Sequence, residues 1–262
     1  MKKVIGIVLL ALAAGTVGGC DGMAEPELSA RVDGPAEIPV EILGAMDEET
    51  RDGLVEEPKY VALTFDDGPR SDTTGLLLNG LLERGAAATF FVIGEQVRGN
   101  EDLLRRMAAE GHQIGNHTYS HVRLLTEEKN TVIEEIQKTE VILKNLLGER
   151  EFWLRPPYGL IDRQRAALVK TPMIYWTLDP EDWKVLDADK VAEQVIKTVQ
   201  PGDIILMHDF YPTSVDAALE IVDELQGQGY TFVTVEELFR IQNVTPMAGT
   251  LYASPLKLRT IS

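Results

Sequence analysis

The chain has 262 residues, of which 44% are hydrophobic, and this is enough for a packed core in one large domain or two small ones. Its formal net charge of −17 argues against nucleic acid as a partner, because phosphate recognition requires clustered lysine and arginine. The single cysteine, Cys20, excludes an internal disulfide, so stability has to come from packing.

The first 19 residues have the pattern of a secretory signal peptide, with Lys2 and Lys3 followed by uncharged residues from 4 to 17. Cys20 follows Val17-Gly18-Gly19, and small residues before a cysteine resemble a bacterial lipobox, in which the cysteine is lipidated. We therefore expect an exported, membrane-anchored lipoprotein that faces the cell wall or periplasm. Ordinary signal cleavage beside an incidental thiol is the alternative.

Residues 20–58 contain twelve acidic residues but only two arginines, together with several prolines. This composition is typical of an extended, largely disordered linker. We therefore predict a signal peptide at 1–19, an acidic flexible tether at 20–58 and a folded domain at 59–240. Residues 241–262, which include Pro246 and Pro255, are predicted to form a poorly ordered C-terminal tail.

From residue 59 onward, strand patterns alternate with helix patterns. Strands are predicted, mostly from apolar runs, at 60–65, 88–93, 113–116, 152–155, 173–178, 203–207 and 231–233. Periodic segments predict helices at 72–84, 100–110, 126–147, 163–170, 188–199, 214–227 and 235–240. Such alternation indicates an α/β fold with a parallel sheet. Because no glycine-rich phosphate loop follows the first strand, a barrel is favoured over a dinucleotide-binding sheet.

Two adjacent carboxylates, Asp66 and Asp67, follow the first predicted strand and precede a Gly-Pro turn. Neighbouring side chains at a strand end point in different directions, so one carboxylate can bind a metal while the other abstracts a proton. Considered alone, Asp-Asp-Gly-Pro is more often an ordinary turn than a catalytic motif.

Polar residues also follow four later strands, at the end where barrel enzymes place their chemistry. These motifs occupy residues 117–121 (His-Thr-Tyr-Ser-His), 155–159 (Arg-Pro-Pro-Tyr-Gly), 179–183 (Asp-Pro-Glu-Asp-Trp) and 206–208 (Leu-Met-His). His117 and His121 have the spacing that places two imidazoles on one side of a helical turn, although surface histidines also have it. With Asp67 they would form a three-ligand site that leaves a position open for water, as in catalytic zinc sites.

Other polar and aromatic residues near these motifs receive no chemical role. His112 lies at a helix exit and is expected to be solvated. Trp153 and Trp176 lie inside predicted strands and are expected in the core. Residues 209–212 follow His208, and the sequence does not decide whether they line a groove.

Taken together, the five motifs resemble, in the same order, those of the polysaccharide deacetylases with a NodB homology domain, carbohydrate esterase family 4, over about residues 59–240. The resemblance implies a distorted, incomplete (β/α) barrel of about seven strands and metal-dependent removal of N-acetyl groups from a glycan. It makes Asp66 the general base and Asp67, His117 and His121 the metal ligands. Zn²⁺ is the expected ion, with Co²⁺ or another divalent ion as the alternative.

The resemblance also assigns roles to residues of the Arg-Pro-Pro-Tyr-Gly motif. Arg155 would orient Asp66, and the backbone N–H of Tyr158 would help to stabilise the oxyanion of the tetrahedral intermediate. Pro157 and Tyr158 would contact the substrate. Backbone donors aimed at a developing charge are among the strongest contributions to catalysis, so this turn would matter for rate as well as binding.

By the same resemblance, Asp182 would pair with His208, the general acid, while Trp183 and Leu206 would line the acetyl pocket. The chemistry agrees with these roles. An amine leaves only when it is protonated, and a carboxylate beside a histidine raises the pKa of the imidazole and holds it as imidazolium. A divalent metal would polarise the amide carbonyl and activate water.

We therefore predict a hydrolase for an N-acetylated glycan. Peptidoglycan (at GlcNAc or MurNAc) or a chitin-like oligosaccharide is the expected substrate, because a tethered enzyme meets the cell's own wall first. O-acetyl xylan esterase or cyclic-amide hydrolase activity would use the same metal site. A non-catalytic wall-binding protein would show a broken set of site residues, and here the set is complete. The protein is expected to be a monomer.

Overall fold

The central strand of the fold is β1 (Lys59–Asp66), in a computed structural model that describes residues 58–261. It pairs in parallel with β2 (Thr89–Val92), β5 (Ile204–His208) and β6 (Tyr230–Phe232), and β2 pairs in parallel with β3 (Gln113–Asn116). The last six residues of β1 are all buried. Continuous burial is expected for a parallel strand that is covered on both faces, which explains the unbroken apolar run in the sequence.

Isolated parallel bridges continue the sheet beyond β3. Leu154 bridges Asn116 on one side and Met173 on the other, where β4 (Met173–Ile174) begins. Leu178 then bridges Ile205 of β5. Single bridges, rather than ladders, connect these segments. The described residues therefore form a distorted and incomplete barrel that does not close. This confirms the predicted fold class.

The strand predicted at 173–178 is short because its backbone changes partner. The Tyr175 N–H donates to the Tyr252 carbonyl at 2.7 Å, whereas the Thr177 N–H donates to the Ile204 carbonyl at 2.9 Å. A strand that leaves one neighbour and joins another within two residues builds no continuous ladder on either side. The apolar pattern predicts a strand along the whole segment, but it carries no information on this exchange of partners.

Nine helices occur within residues 58–261. They are α1 (Thr74–Glu83), α2 (Gly94–Val97), α3 (Glu101–Ala109), α4 (Lys129–Leu147), α5 (Arg163–Ala166), α6 (Asp182–Val185), α7 (Ala188–Thr198), α8 (Pro212–Gly227) and α9 (Val235–Ile241). Seven overlap predicted helices, and the one-turn helices α2 and α6 are additional. Among these described helices, none combines the length and apolar composition needed to cross a membrane.

The side of the sheet next to the C-terminal residues carries its own apolar cluster. Trp153 packs edge-on against Phe239 with ring centroids 5.3 Å apart, and Phe239 packs against Tyr252 at 5.1 Å. All three side chains are buried. The expectation that Trp153 belongs to the core is therefore confirmed.

The expectation that His112 is solvated is wrong. Its side chain is buried, its Nδ1 accepts a hydrogen bond from the Ala88 N–H at 3.1 Å, and its ring packs edge-on against Phe90. Burial lowers the pKa of His112 below its ordinary value. His112 is thus a structural residue at the start of β3, at the opposite end of that strand from the motif at 117–121.

The C-terminal residues are ordered, and the predicted tail is wrong in this respect. β7 (Leu251–Ser254) pairs in parallel with β4, and β8 (Lys257–Leu258) returns antiparallel to β7. Leu251, Tyr252 and Ala253 are buried, so this segment completes the core instead of leaving it. The predicted signal peptide and tether lie outside the described residues, and those boundaries remain predictions.

Replacing Tyr252 tests the contribution of the C-terminal strand to stability. We expect Tyr252→Ala to lower the free energy of unfolding by roughly 3 kcal/mol, because it empties a buried aromatic site. Denaturant unfolding followed by circular dichroism measures this. Leu256→Ala is the matched control, since that side chain is 77% exposed. Equal unfolding midpoints for the two variants would contradict a structural role for the strand.

Candidate functional site

The C-terminal ends of the parallel strands bring the predicted residues together. Asp66, the last residue of β1, is the register partner of His208, the last residue of β5. His117 follows directly after β3, and its N–H donates to the Val92 carbonyl at the end of β2. Side chains that are far apart in sequence therefore meet at one edge of the sheet because their strands are parallel and end together.

Asp67, His117 and His121 form a compact group of potential metal ligands. The Oδ1 atom of Asp67 lies 3.5 Å from His117 Nε2 and 3.3 Å from His121 Nε2. One donor atom from each residue lies within 4.8 Å of the other two. Such an arrangement leaves space for a single ion to contact all three side chains.

The chemistry of these donors suits a divalent ion such as Zn²⁺ or Co²⁺. Asp67 Oδ1 is buried and has no hydrogen-bond partner among the described residues. His117 Nδ1 lies 2.7 Å from the Arg155 carbonyl, which can only accept, so Nδ1 carries the proton and Nε2 keeps its lone pair. Burial lowers the pKa of His117 to about 3, so the imidazole is neutral, as a ligand must be.

The Arg155 guanidinium is fully buried beneath Asp66. Its Nη1 donates to Asp66 Oδ1 at 2.8 Å and to Thr64 Oγ1 at 2.7 Å, while Nη2 donates to the Tyr175 carbonyl at 2.8 Å. The guanidinium carbon also lies 4.1 Å from the centre of the Phe91 ring. These contacts leave the Asp66 carboxylate little rotational freedom, so Arg155 orients it.

Burial is the largest influence on the pKa of Asp66. It raises the pKa of Asp66 above its ordinary value of 3.8, and the guanidinium of Arg155 is the strongest opposing influence. The family resemblance implied only that Arg155 would orient Asp66. The structure adds that desolvation makes this carboxylate a stronger base than an exposed aspartate.

His208 is held by both oxygens of one carboxylate. Its Nδ1 donates to Asp182 Oδ1 at 2.9 Å, and its backbone N–H donates to Asp182 Oδ2 at 2.9 Å. Burial lowers the pKa of His208, but the hydrogen bond and charge of Asp182, followed by the charges of Asp66 and Asp67, outweigh it and raise the pKa to about 9. The imidazole is therefore held as imidazolium, with Nε2 as its second proton donor.

These residues surround a cavity of about 450 Å³, which we call the catalytic cavity. It is lined by Asp66, Asp67, His117, His121, Tyr158, Trp176, Asp179, Trp183, Leu206, His208, Phe210 and Tyr211. Trp183 is 48% exposed at the rim, whereas Leu206 is buried in the wall. The apolar side chains give the cavity a surface suited to a small apolar group such as a methyl.

Three expected site residues lie behind the cavity wall. Arg155 and Asp182 are buried and act on Asp66 and His208, as their predicted roles require. Pro157 is also buried and is absent from the wall, and its expected contact with substrate stays a prediction. Its neighbour Tyr158 occupies that position in the wall.

Sequence reasoning missed several residues of the cavity wall. Trp176 was expected in the core, yet it lines the cavity, at the point where the backbone changes partner. Phe210 and Tyr211 come from the segment after β5 that the sequence left undecided. The signal available was their position directly after a strand end, where loops of such folds form sites.

Asp209 was also missed, and it lies beneath the loop that carries Asp67. Its side chain is buried, with Oδ2 accepting from the Thr74 hydroxyl and Oδ1 without a partner among the described residues. The Thr73 hydroxyl donates to its carbonyl. A Cβ at Gly68 would lie 2.4 Å from the carboxylate, so only glycine fits there. Asp209 therefore positions the loop that follows β1.

Several cavity residues adopt left-handed backbone conformations. Asp67 (φ 71°), Thr118 (φ 66°), His121 (φ 57°), Tyr158 (φ 61°) and Glu181 (φ 53°) all belong to the motifs that border the site. Positive φ is costly for residues with a Cβ, and especially for β-branched threonine. Such strain is held only where the surrounding structure determines it, and it concentrates at functional sites.

Comparisons with known proteins agree with this geometry. A family model described as polysaccharide deacetylase matches residues 54–174. The chain is 38% identical over 202 residues to the peptidoglycan-N-acetylmuramic acid deacetylase PdaC of Bacillus subtilis, which covers 77% of this chain but 43% of that protein. The chain thus matches less than half the length of this relative.

Two further matches cover most of their partner. A peptidoglycan-N-acetylglucosamine deacetylase of Bacillus cereus is 38% identical over 187 residues, covering 69% of this chain and 68% of that protein. The structure of a family 4 acetyl xylan esterase from Clostridium thermocellum in complex with a cobalt ion superposes with a TM-score of 0.71 at 32% identity, covering 75% of this chain and 98% of that chain.

Asp67→Asn tests the metal site. We expect it to weaken Co²⁺ binding by roughly tenfold or more, because the amide cannot supply the anionic donor. Isothermal titration with Co²⁺ measures the affinity. Asp72→Asn is the matched control, since Asp72 lies five positions further along the same loop and its side chain is 62% exposed. Equal affinities for the two variants would remove Asp67 from the ligand set.

Asp209→Asn tests the buried carboxyl beneath the loop. Burial raises the pKa of Asp209 to about 7 in the folded protein, from 3.8. The folded state therefore binds a proton that the unfolded state has lost, and this contribution to stability disappears as the pH rises from about 4 to about 7. Relative to Asp209→Asn, wild-type stability should fall between about pH 4 and about pH 7 in thermal melts. A constant difference would contradict the raised pKa.

Proposed function

The chain belongs to the polysaccharide deacetylase family, and from that premise we propose that it is a metal-dependent hydrolase that removes N-acetyl groups from a peptidoglycan-type glycan. One observation carries the proposal. Asp66 and His208, a base and an acid, are register partners at the ends of adjacent strands, and the group of Asp67, His117 and His121 lies beside them. Amide hydrolysis needs these three elements together.

Asp66 serves as the general base. A divalent ion held by Asp67, His117 and His121 would supply Lewis-acid polarisation of the acetyl carbonyl and lower the pKa of water. Asp66 accepts the proton of the attacking water, and its raised pKa favours that transfer. Arg155 holds the carboxylate in one orientation by the hydrogen bond to Oδ1.

His208 serves as the general acid. The carbon–nitrogen bond breaks only when the nitrogen is protonated, because an amide anion is a very poor leaving group. His208 donates that proton from Nε2, while Asp182 holds Nδ1 and stabilises the imidazolium before the transfer. Base and acid therefore approach the scissile bond from neighbouring strands.

The acetyl group itself would lie against Leu206 and Trp183, which form an apolar part of the catalytic cavity. The backbone N–H of Tyr158, at its strained position, would donate to the developing oxyanion. Zn²⁺ is the ion we propose for the cell, because two imidazoles and one carboxylate with an open position are typical of catalytic zinc.

Acetate release tests the activity. We expect the full chain, supplied with Zn²⁺ or Co²⁺, to release acetate from peptidoglycan, and Asp66→Asn to lower kcat by roughly 100-fold or more, because general base catalysis is lost. Asp72→Asn is the control and should keep wild-type kcat. Wild-type protein that binds metal but releases no acetate from peptidoglycan or chitooligosaccharides would overturn the N-deacetylase proposal.

O-deacetylation of xylan is the second candidate, because a structural relative is an acetyl xylan esterase. The two activities differ in their leaving group. An alcohol leaves an ester with less help from protonation than an amine needs in order to leave an amide. His208→Gln should therefore reduce N-deacetylation far more than any ester hydrolysis on acetylated xylan. Preferred acetate release from xylan, with little effect of His208→Gln, would favour the esterase. A cyclic-amide substrate would give ring opening without acetate.

We also propose that Cys20 is lipidated and anchors the enzyme outside the cytoplasmic membrane, close to its glycan. Metabolic labelling with palmitate in a bacterial host tests this. The wild-type chain should carry the label and Cys20→Ser should not, while the neighbouring control Ser29→Ala should label as wild type does. An unlabelled wild-type chain would contradict the proposal.

A further inference from the structure

A second cavity of about 510 Å³ adjoins the catalytic cavity. Trp176 and Asp179 line both of them. The remaining wall of the second cavity consists of Tyr175, Thr177, Ala253, Lys257, Leu258, Arg259 and Thr260. We call it the hairpin cavity because β7 and β8, the C-terminal hairpin, form one side. A polymer whose reacting sugar occupies the catalytic cavity would place a neighbouring unit here.

A stack of side chains forms the floor of the hairpin cavity. The Tyr175 and Trp176 rings lie parallel, with centroids 3.8 Å apart and planes inclined by 11°. The Arg259 guanidinium carbon lies 4.5 Å from the centre of the Tyr175 ring. Gly159 supports the stack, since a Cβ there would lie 2.2 Å from the Tyr175 ring. The stack therefore holds Arg259 in a defined place beside the cavity.

The hairpin side of the cavity is basic. Lys257 and Arg259 are exposed, and within residues 58–261 neither forms an ion pair with a carboxylate. Asp179 lies at the boundary with the catalytic cavity and accepts from the Glu181 N–H. An anion would thus be attracted to the hairpin end and repelled from the shared wall.

We propose that the hairpin cavity binds a carboxylate group of the glycan, next to the sugar that is deacetylated. This inference rests on the proposed function and deepens it, because it favours peptidoglycan, whose muramic units carry carboxylates, over neutral chitin or xylan. An arginine guanidinium recognises a carboxylate through two parallel hydrogen bonds, and a stacked arginine loses less freedom on binding. The carboxylate can belong to a peptide-free lactyl group or to the stem peptide.

Binding of defined glycans tests the proposal without requiring hydrolysis. Full-length protein carrying Asp66→Asn serves as the background, so that the base proposed for turnover is absent. Titration calorimetry measures Kd for a peptidoglycan tetrasaccharide with stem peptides, for the peptide-free tetrasaccharide and for chitotetraose. The double variant Lys257→Gln/Arg259→Gln is compared with a matched double variant on α3 and α7, Arg105→Gln/Lys190→Gln, whose basic side chains are also exposed.

We expect the hairpin double variant to bind at least one carboxylate-bearing ligand about fivefold or more weakly, because charge-assisted bonds are lost, with chitotetraose affinity unchanged within about twofold. If the double variant loses affinity only for the peptide-bearing ligand, the group bound in the hairpin cavity is the stem-peptide carboxylate. If it loses affinity only for the peptide-free ligand, the bound group is the lactyl carboxylate. Amidation of the ligand carboxylates should weaken binding to the background protein in the same way.

Two results would overturn the inference. One is equal affinity of the hairpin and control double variants for both carboxylate-bearing ligands, or no binding of these ligands at all. The other is a loss of affinity for chitotetraose that equals the loss for the carboxylate-bearing ligands, which would mean that the substitutions disturb the hairpin structure. If binding depends on the carboxylate but the wild-type protein releases no acetate, the proposed activity is contradicted and the hairpin cavity remains a binding site.

Discussion

The buried guanidinium of Arg155 is the interaction on which the rest of the site depends. Its two terminal nitrogens bind Thr64 and Asp66 on β1 and the carbonyl of Tyr175, and its own carbonyl accepts from His117. One residue therefore orients Asp66, His117 and the segment that leads into the hairpin cavity. Removing one partner of such a buried pair costs about 3–5 kcal/mol, so this position serves stability as well as chemistry.

Around that centre, the site is built from strained turns held by buried polar contacts. The loop after β1 passes over Asp209, whose carboxylate approaches Gly68 and accepts from Thr74. The turn after β3 is supported by Glu135 of α4, which accepts from the backbone N–H groups of Tyr119 and Ser120. These contacts offset the cost of the left-handed residues and hold Asp67, His117 and His121 close together.

The sequence predicted some elements of the fold correctly and missed others. β3 was predicted with its observed bounds, because Gly111 marks the end of the preceding helix and the polar motif at 117–121 follows the strand directly. The C-terminal hairpin was missed because two prolines and a short apolar segment also describe a tail, and only pairing with β4 distinguishes the two. Burial of His112 was missed for a similar reason, since one histidine carries no periodic signal.

The sequence by itself determined the α/β class, the order of the motifs and the chemical types of the site residues. These follow from apolar periodicity, turn residues and short motifs, which are local properties of the chain. Tertiary structure alone decided that Asp66 lies opposite His208, that Trp176 lines the cavity and that Arg259 stacks beside it. Strand register, exchange of strand partners and packing of the C-terminal hairpin are contacts between distant segments, and no local pattern encodes them.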